Sequence, residues 1–240
     1  MNIIIGMAGA GSRFAEAGFT IPKPLCRTGN TTMIQKAVET LDIDGRYIFV
    51  VQHQHLLDYP WMEAHLKSLA DEVDIITLDG VTEGAACSLL HAKELIDNDR
   101  PLISINSDQV LHWDSAKFLQ ACELEPDVSW IMTYPHNDIK HSFVALDNDG
   151  YVVEAAEKVA ISNIATVGLY HWAKGSLFVK GAEEMIANNE RHNGEFYLAP
   201  IYNYTTLDCR VKPYPVTAKE FTPVGTPSDL ASYHTRFYRE

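Results

Sequence analysis

The residues best suited to chemistry in this chain are two cations, one carboxylate and a run of nearly bare backbone. Ala8, Gly9, Ala10, Gly11 and Ser12 carry little side chain, so their amide N–H groups can approach an anion, and the glycines can take positive φ where a turn demands it. Arg13 sets a permanent positive charge beside those amides. Lys23 adds a second from the extended Pro22-Lys23-Pro24 frame. The set reads as a phosphate cradle with two cationic arms. Asp108 follows the apolar run Leu102 to Asn106. A carboxylate there offers the hard oxygen that Mg²⁺ takes from protein while keeping waters and phosphate oxygens, and it also suits a turn or a helix cap.

The elements that position these groups follow from periodicity. Asn2 to Gly6 holds three consecutive isoleucines, a run suited to a strand buried on both faces. Helical spacing over Thr31 to Leu41, a strand at Tyr47 to Gln52, a helix over Pro60 to Ala70 and strands at Val73 to Leu78 and Leu102 to Asn106 alternate along the chain. That order predicts an α/β fold with a mostly parallel central sheet, flanking helices and right-handed crossovers. Ligands of such sheets bind beyond the carboxyl ends of the strands, which puts Asp108 and the opening loop on one crevice. After the strand Ser129 to Thr133 the pattern changes. Asp149-Gly150 between alternating segments signals a hairpin, and a strand at Ala165 to His171 and a helix at Gly175 to Asn188 follow, building a small antiparallel substrate-side lobe. We expect one domain over 1–240, in two halves, 1–135 and 136–240.

Two commoner glycine loops do not fit. A dinucleotide fingerprint needs glycine where Phe14 stands and an acidic residue where Gln52 ends its strand; a Walker-type loop needs Lys then Ser/Thr where Ser12-Arg13 stands. The net charge of −13 argues against nucleic acid and anionic membrane as partners, since both are attracted by basic surfaces. No apolar run approaches the roughly 20 residues that cross a bilayer, and no leader precedes the first strand, so a cytoplasmic protein is expected. Cys26, Cys87, Cys122 and Cys209 are dispersed, suggesting neither a zinc site nor a disulfide framework. His53 and His55 read as a strand-end surface pair.

A second stretch, Thr82 to Ala92, begins with a good N-cap in Thr82, and Gly84, Ala85 and Ala86 keep the first turn open to a flat ring or a ribose, or to tight helix–sheet packing. Asp79 or Gln52 would suit a base edge, a carboxylate preferring an exocyclic amine.

The opening stretch resembles the motif GxGxRxxxxxxxxPKPL of the nucleotidyltransferases that make nucleotide sugars and related activated precursors, with Gly9, Gly11, Arg13, Pro22, Lys23, Pro24 and Leu25 matching. The resemblance implies a GT-A-like fold, a loop from Ala8 to Ser12 holding a nucleoside triphosphate, Arg13 and Lys23 neutralising phosphates, and Asp108 holding Mg²⁺. It further implies that Thr82, Glu83 and Gly84 line the nucleotide pocket. Lys158 of Glu157-Lys158 resembles a lysine that contacts the acceptor, and Gly168 and Glu195 resemble acceptor-side residues. Relatives often carry a second metal ligand in WxDVGTP; here Pro223 takes the aspartate's place, leaving Asp229, Glu220 or Thr226 as substitutes or a single carboxylate as sufficient, with Asp229 equally suited to capping the last helix. The chain is similar to compact forms serving surface-polysaccharide precursors, some of which use CTP and a non-sugar acceptor.

The expected reaction is attack by an acceptor phosphate, a sugar phosphate or a non-sugar one, on the α-phosphorus of a triphosphate, expelling pyrophosphate. The monoester is mostly ionised at neutral pH, so no general base is needed. Two other classes stay open. A glycosyltransferase of similar fold usually has a DxD motif, which Ser107-Asp108-Gln109 lacks, and a non-catalytic nucleotide sensor is conceivable because of Pro223.

Overall fold

The computed structural model describes residues 1–238. Strand β1 (Asn2–Gly6) leads through a short loop into helix α1 (Ser12–Glu16), a 3-10 turn at Lys23–Leu25 and a small hairpin of β2 (Arg27–Thr28) and β3 (Thr31–Thr32). Then come α2 (Met33–Leu41), β4 (Arg46–Gln52), α3 (His53–Asp58), α4 (Trp61–Lys67), β5 (Glu72–Leu78), α5 (Ala85–Leu90), α6 (Lys93–Ile96) and β6 (Leu102–Asn106). The second half runs β7 (Gln109–Leu111), α7 (Ser115–Leu124), β8 (Val128–Pro135), β9 (Ser142–Leu146), β10 (Val152–Glu157), β11 (Ile164–Trp172), α8 (Gly175–Ala187), a 3-10 segment Ala199–Tyr204, β12 (Arg210–Pro215), β13 (Phe221–Pro223) and α9 (Pro227–Phe237).

Among the described residues, nine strands form one sheet in the order β10-β9-β11-β6-β1-β4-β5, with β8 joining β11 to β12. Strands β6, β1, β4 and β5 are parallel, so Asn106, Gly6, Gln52 and Leu78 end on one rim. Strand β11 runs antiparallel to β6, and β9 and β10 continue the sheet from there. The isoleucine run is buried on both faces, as its composition demands. Ile3 and Ile5 join Phe49, Val51, Ile103 and Ile105 on one side; Ile4 joins Ile48, Val50 and Leu102 on the other. Each fully buried isoleucine contributes about 1.5–3 kcal/mol relative to exposure.

Local chemistry sets the boundaries. Helix α2 starts two residues later than its apolar spacing suggests, because Thr32 serves as N-cap and its hydroxyl accepts the Gln35 amide at 3.2 Å. It stops where Asp42 turns left-handed, φ 54°. His53 and His55 open helix α3 rather than closing a strand, with His55 half-buried. Thr82 does not cap α5. That helix begins after Gly84, and the Thr82 hydroxyl bonds the Gly84 carbonyl at 2.9 Å and Ser88 Oγ at 2.6 Å.

One buried group makes folding depend on pH. His171 on β11 lies edge-on to Phe118 of α7, ring centroids 5.8 Å apart, and among the described residues neither ring nitrogen has a hydrogen-bond partner. Burial pushes its pKa down from 6.5 to about 3. The folded state therefore keeps His171 neutral while the unfolded chain takes up a proton below about pH 6.5, so stability falls as pH drops through that window toward 3. His171→Leu is expected to flatten this limb by close to one proton, about 1.4 kcal/mol per pH unit, read from urea midpoints at pH 7 and pH 4.

Candidate active site

The loop after β1 is open to an anion. Met7 N–H is taken by Val50 O at 2.7 Å, but among the described residues the amides of Ala8, Gly9 and Ala10 have no protein acceptor. Gly11 turns left-handed at φ 62° to launch α1, and its Cα faces the Lys23 stem, 3.7 Å from where a Cβ would stand to Lys23 Cβ. The loop is fixed from behind by Gln52, whose side-chain amide donates to Ala8 O at 2.8 Å. Lys23 then crosses to the end of β6, where its Nζ lies 2.7 Å from Asp108 Oδ2. Bare amides, Lys23 and Asp108 thus meet on the rim that the parallel strands share. Ser12 and Arg13 occupy the exposed first turn of α1, and among the described residues Arg13 makes no ion pair. Asp79 is exposed one residue beyond Leu78, the β5 partner of Gln52.

The loop at Thr82 to Gly84 is locked to the segment before the 3-10 turn at Ala199. Phe196 N–H donates to Glu83 O at 2.8 Å, and Ala86 N–H donates to Phe196 O at 3.1 Å. Gly84 at φ 135° has no room for a side chain, since a Cβ would stand 2.4 Å from Phe196 O. The Glu83 carboxylate is held by Arg191 at 2.7 Å, and that guanidinium stacks 4.1 Å from the centre of the Phe196 ring. Glu83 therefore braces the two loops through its side chain.

Beyond Asp108 lies a hollow of about 350 Å³, whose lining includes Asn106, Asp108, Gln109, Ser142, Glu157, Thr166, Gly168 and Tyr170, with Ala85 and Tyr197 from the locked loops. Gly168 sits in a β-bulge of β11 at φ 82°, and a Cβ there would stand 2.2 Å from Asn106 Nδ2. Glu157 was legible only as the neighbour of Lys158, yet it is the buried carboxylate of the hollow. Its Oε2 accepts the Ser142 hydroxyl, and its Oε1 lies 3.7 Å from Lys158 Nζ. Burial pushes its pKa up, against Ser142, Lys158 and His192, which pull it down. Lys158 adopts φ 54° and donates to Tyr197 Oη at 2.8 Å. Its burial favours the neutral amine, but Tyr197, Glu157 and Glu195 outweigh this and raise its pKa. Glu195 is exposed and acts on Lys158 by charge rather than by lining the hollow.

Of the two roles open to Asp229, the structure shows the helix cap. Its carboxylate accepts both the amide and the hydroxyl of Thr226, at 3.1 and 2.6 Å, and the Thr226 hydroxyl accepts the Asp229 amide, which makes a capping box for α9. Pro223 lines the hollow in its stead and offers no side-chain oxygen. Gly225 leaves room for the Asp108 carboxylate, since a Cβ there would stand 2.7 Å from its Oδ2. The donor set fits Mg²⁺ of the kind that takes one carboxylate and completes its shell with phosphate oxygens and water.

The model of the nucleotidyl transferase family matches residues 2–231, and the chain belongs to that family. The mannose-1-phosphate guanylyltransferase catalytic subunit beta of Danio rerio is 27% identical over 186 residues, covering 74% of this chain and 51% of that protein. The bifunctional protein GlmU of Methanococcus aeolicus is 23% identical over 176 residues, covering 71% of this chain and 39% of that protein. The match thus spans about half of these relatives or less. A nucleoside-diphosphate-sugar pyrophosphorylase from Vibrio cholerae superposes with a TM-score of 0.82 at 22% identity, over 96% of this chain and 98% of that one. The inositol-1-phosphate CTP transferase from T. maritima gives 0.74 at 14% identity, over 97% and 93%. At such identities the likeness is one of fold.

Proposed function

We propose that this chain transfers a nucleoside monophosphate from a nucleoside triphosphate to a sugar phosphate and releases pyrophosphate. The observation that carries the reading is the Lys23–Asp108 pair, set between the loop of unpartnered amides, whose Gly11 faces the Lys23 stem, and a hollow that Asp108 lines together with hydroxyls, amides and the carboxylate of Glu157. Ser142, Thr166 and Tyr170 are buried there with Glu157, and Thr166 Oγ1 lies 3.1 Å from Tyr170 Oη. Groups that both donate and accept suit a polyhydroxylated acceptor. The product is an activated precursor of the kind from which surface polysaccharides are built, a role supported by the resemblance of the motifs, as is a cytoplasmic setting; among the described residues no helix is long and apolar enough to cross a membrane.

In the reaction, an oxygen of the acceptor phosphate forms a bond to the α-phosphorus as the bond to the bridging oxygen of pyrophosphate breaks. The loop amides of Ala8, Gly9 and Ala10 orient the triphosphate, Arg13 neutralises the leaving pyrophosphate, and Lys23 neutralises the α-phosphate and acceptor. Lys158, which does not line the hollow itself but pairs with its Glu157 and Tyr197, steers the acceptor by charge, and Gly168 lets the Asn106 side chain sit against the hollow. Asp108 would hold Mg²⁺, which when bound would supply charge neutralisation at the phosphates. Positioning and electrostatics carry the rate, as in other phosphoryl transfers.

The test is pyrophosphate release from protein, Mg²⁺, each common nucleoside triphosphate and a panel of acceptor phosphates. Release is expected only with both substrates present. Silence with every pair removes the enzyme and leaves a nucleotide sensor. With the active pair, Arg13→Ala is expected to lower kcat by about 10²-fold or more while the melting temperature holds. A second reading is CTP with a non-sugar phosphorylated acceptor; Asp79, next to the β5 partner of Gln52, bears on the base alone, since a carboxylate there would favour an exocyclic amine, as in cytosine or guanine. The same panel separates the two.

A further inference from the structure

We propose that Lys23 is the resident counter-ion of Asp108 in the nucleotide-free protein, so that a divalent metal enters this site only together with the triphosphate that draws Lys23 away. The inference rests on the nucleotidyl-transfer reading and adds to it a rule for how the site fills. Three observations carry it. Lys23 Nζ lies 2.7 Å from Asp108 Oδ2, with the two side chains only 26% and 23% exposed. Gly225 leaves the room that Oδ2 occupies, since a Cβ there would stand 2.7 Å from it, and the Asp108 carbonyl accepts Val224 N–H at 2.9 Å, so the backbone that carries the carboxylate is held in place. The other candidate carboxylates among the described residues are engaged elsewhere: Glu157 of the same hollow accepts the Ser142 hydroxyl and pairs with Lys158, Asp229 is held by Thr226, and Pro223 brings no side-chain oxygen.

A metal arriving alone must therefore displace a tethered ammonium to gain one carboxylate. Mg²⁺ gives up water reluctantly, and a single oxygen is poor compensation. The triphosphate changes both sides of the exchange. It offers the metal several oxygens, and it offers Lys23 phosphates across the short gap from Gly11. Lysine suits the exchange because its ammonium is a point charge on a flexible stem, with no bidentate geometry to break. Metal and triphosphate then favour each other's binding by the same factor, as linkage requires.

The experiment titrates Mn²⁺ alone into the full chain, with free Mn²⁺ read by electron paramagnetic resonance. Lys23→Met is expected to tighten Mn²⁺ binding about fivefold or more over the wild type, the equivalent of a part-buried ion pair near 1 kcal/mol. Lys23→Arg, which keeps a paired cation, should stay within about twofold of the wild type. Adding Asp108→Asn to Lys23→Met should abolish the gain. Lys140→Met is the control for general field effects, since Lys140 lines the same hollow without pairing with Asp108. Equal affinity in Lys23→Met and the wild type, or an equal gain in Lys140→Met, overturns the proposal while leaving the nucleotide reading intact. A parallel melting assay with Mg²⁺ and each nucleoside triphosphate reports that reading separately: a rise in melting temperature upholds it, and no rise with any triphosphate takes both down.

Discussion

Asp108→Asn is expected to lower pyrophosphate release by at least about 10³-fold, some 4 kcal/mol in the barrier, with the fold intact. The carboxylate pairs with Lys23 at the mouth of the hollow, and asparagine would give Mg²⁺ only a neutral carbonyl in its place. Stability should change by less than about 1 kcal/mol, because Lys23 is part-exposed and water can take over its solvation. Turnover and thermal melting of the same preparation decide the matter. Activity within tenfold of wild type would mean that Asp108 only shapes the turn between β6 and β7.

Gly84→Ala should act on fold and function together. A Cβ at this position would stand 2.4 Å from Phe196 O and 2.5 Å from Phe196 N, on a backbone at φ 135°. Backbone has nowhere to retreat, so either the residue strains or the hydrogen bonds Phe196 N–H to Glu83 O and Ala86 N–H to Phe196 O open. Strain and lost bonds together should cost about 2–4 kcal/mol, measured by urea unfolding. The Michaelis constants for triphosphate and acceptor should rise together, because one side of the clasp leads into α5 and the other carries Tyr197, the partner of Lys158. Gly80→Ala is the control. Nothing lies within 4 Å of its Cβ position, and it should change stability by less than about 0.5 kcal/mol.

Most of the architecture was legible because strand and helix patterns are local. Three adjacent isoleucines, the apolar run of Tyr47 to Val51 and the spacing of Met33, Ile34, Ala37, Val38 and Leu41 each state a burial pattern that few arrangements satisfy, and the observed strands and helix match them within a residue or two. Errors fell where a polar side chain had two local options. Thr82 has the chemistry of an N-cap, but Gly84 is forced into its unusual φ by contact with Phe196, which postpones the helix to Ala85.

By itself the amino-acid sequence determined which chemistry is available: a bare loop, Arg13 and Lys23 after the first strand, and Asp108 at the end of a later one. Those assignments depend on residue type and on the period of the flanking elements, and both are local properties. Tertiary structure alone decided which groups meet. Lys23 and Asp108 pair across 85 residues of chain, Ser142 reaches the buried Glu157 through the β9–β10 pairing, and Asp229 turns to its own helix. Side-chain partners are settled by what packing leaves within reach and by the cost of leaving a buried polar group unbonded, and neither quantity is written in a short stretch of residues.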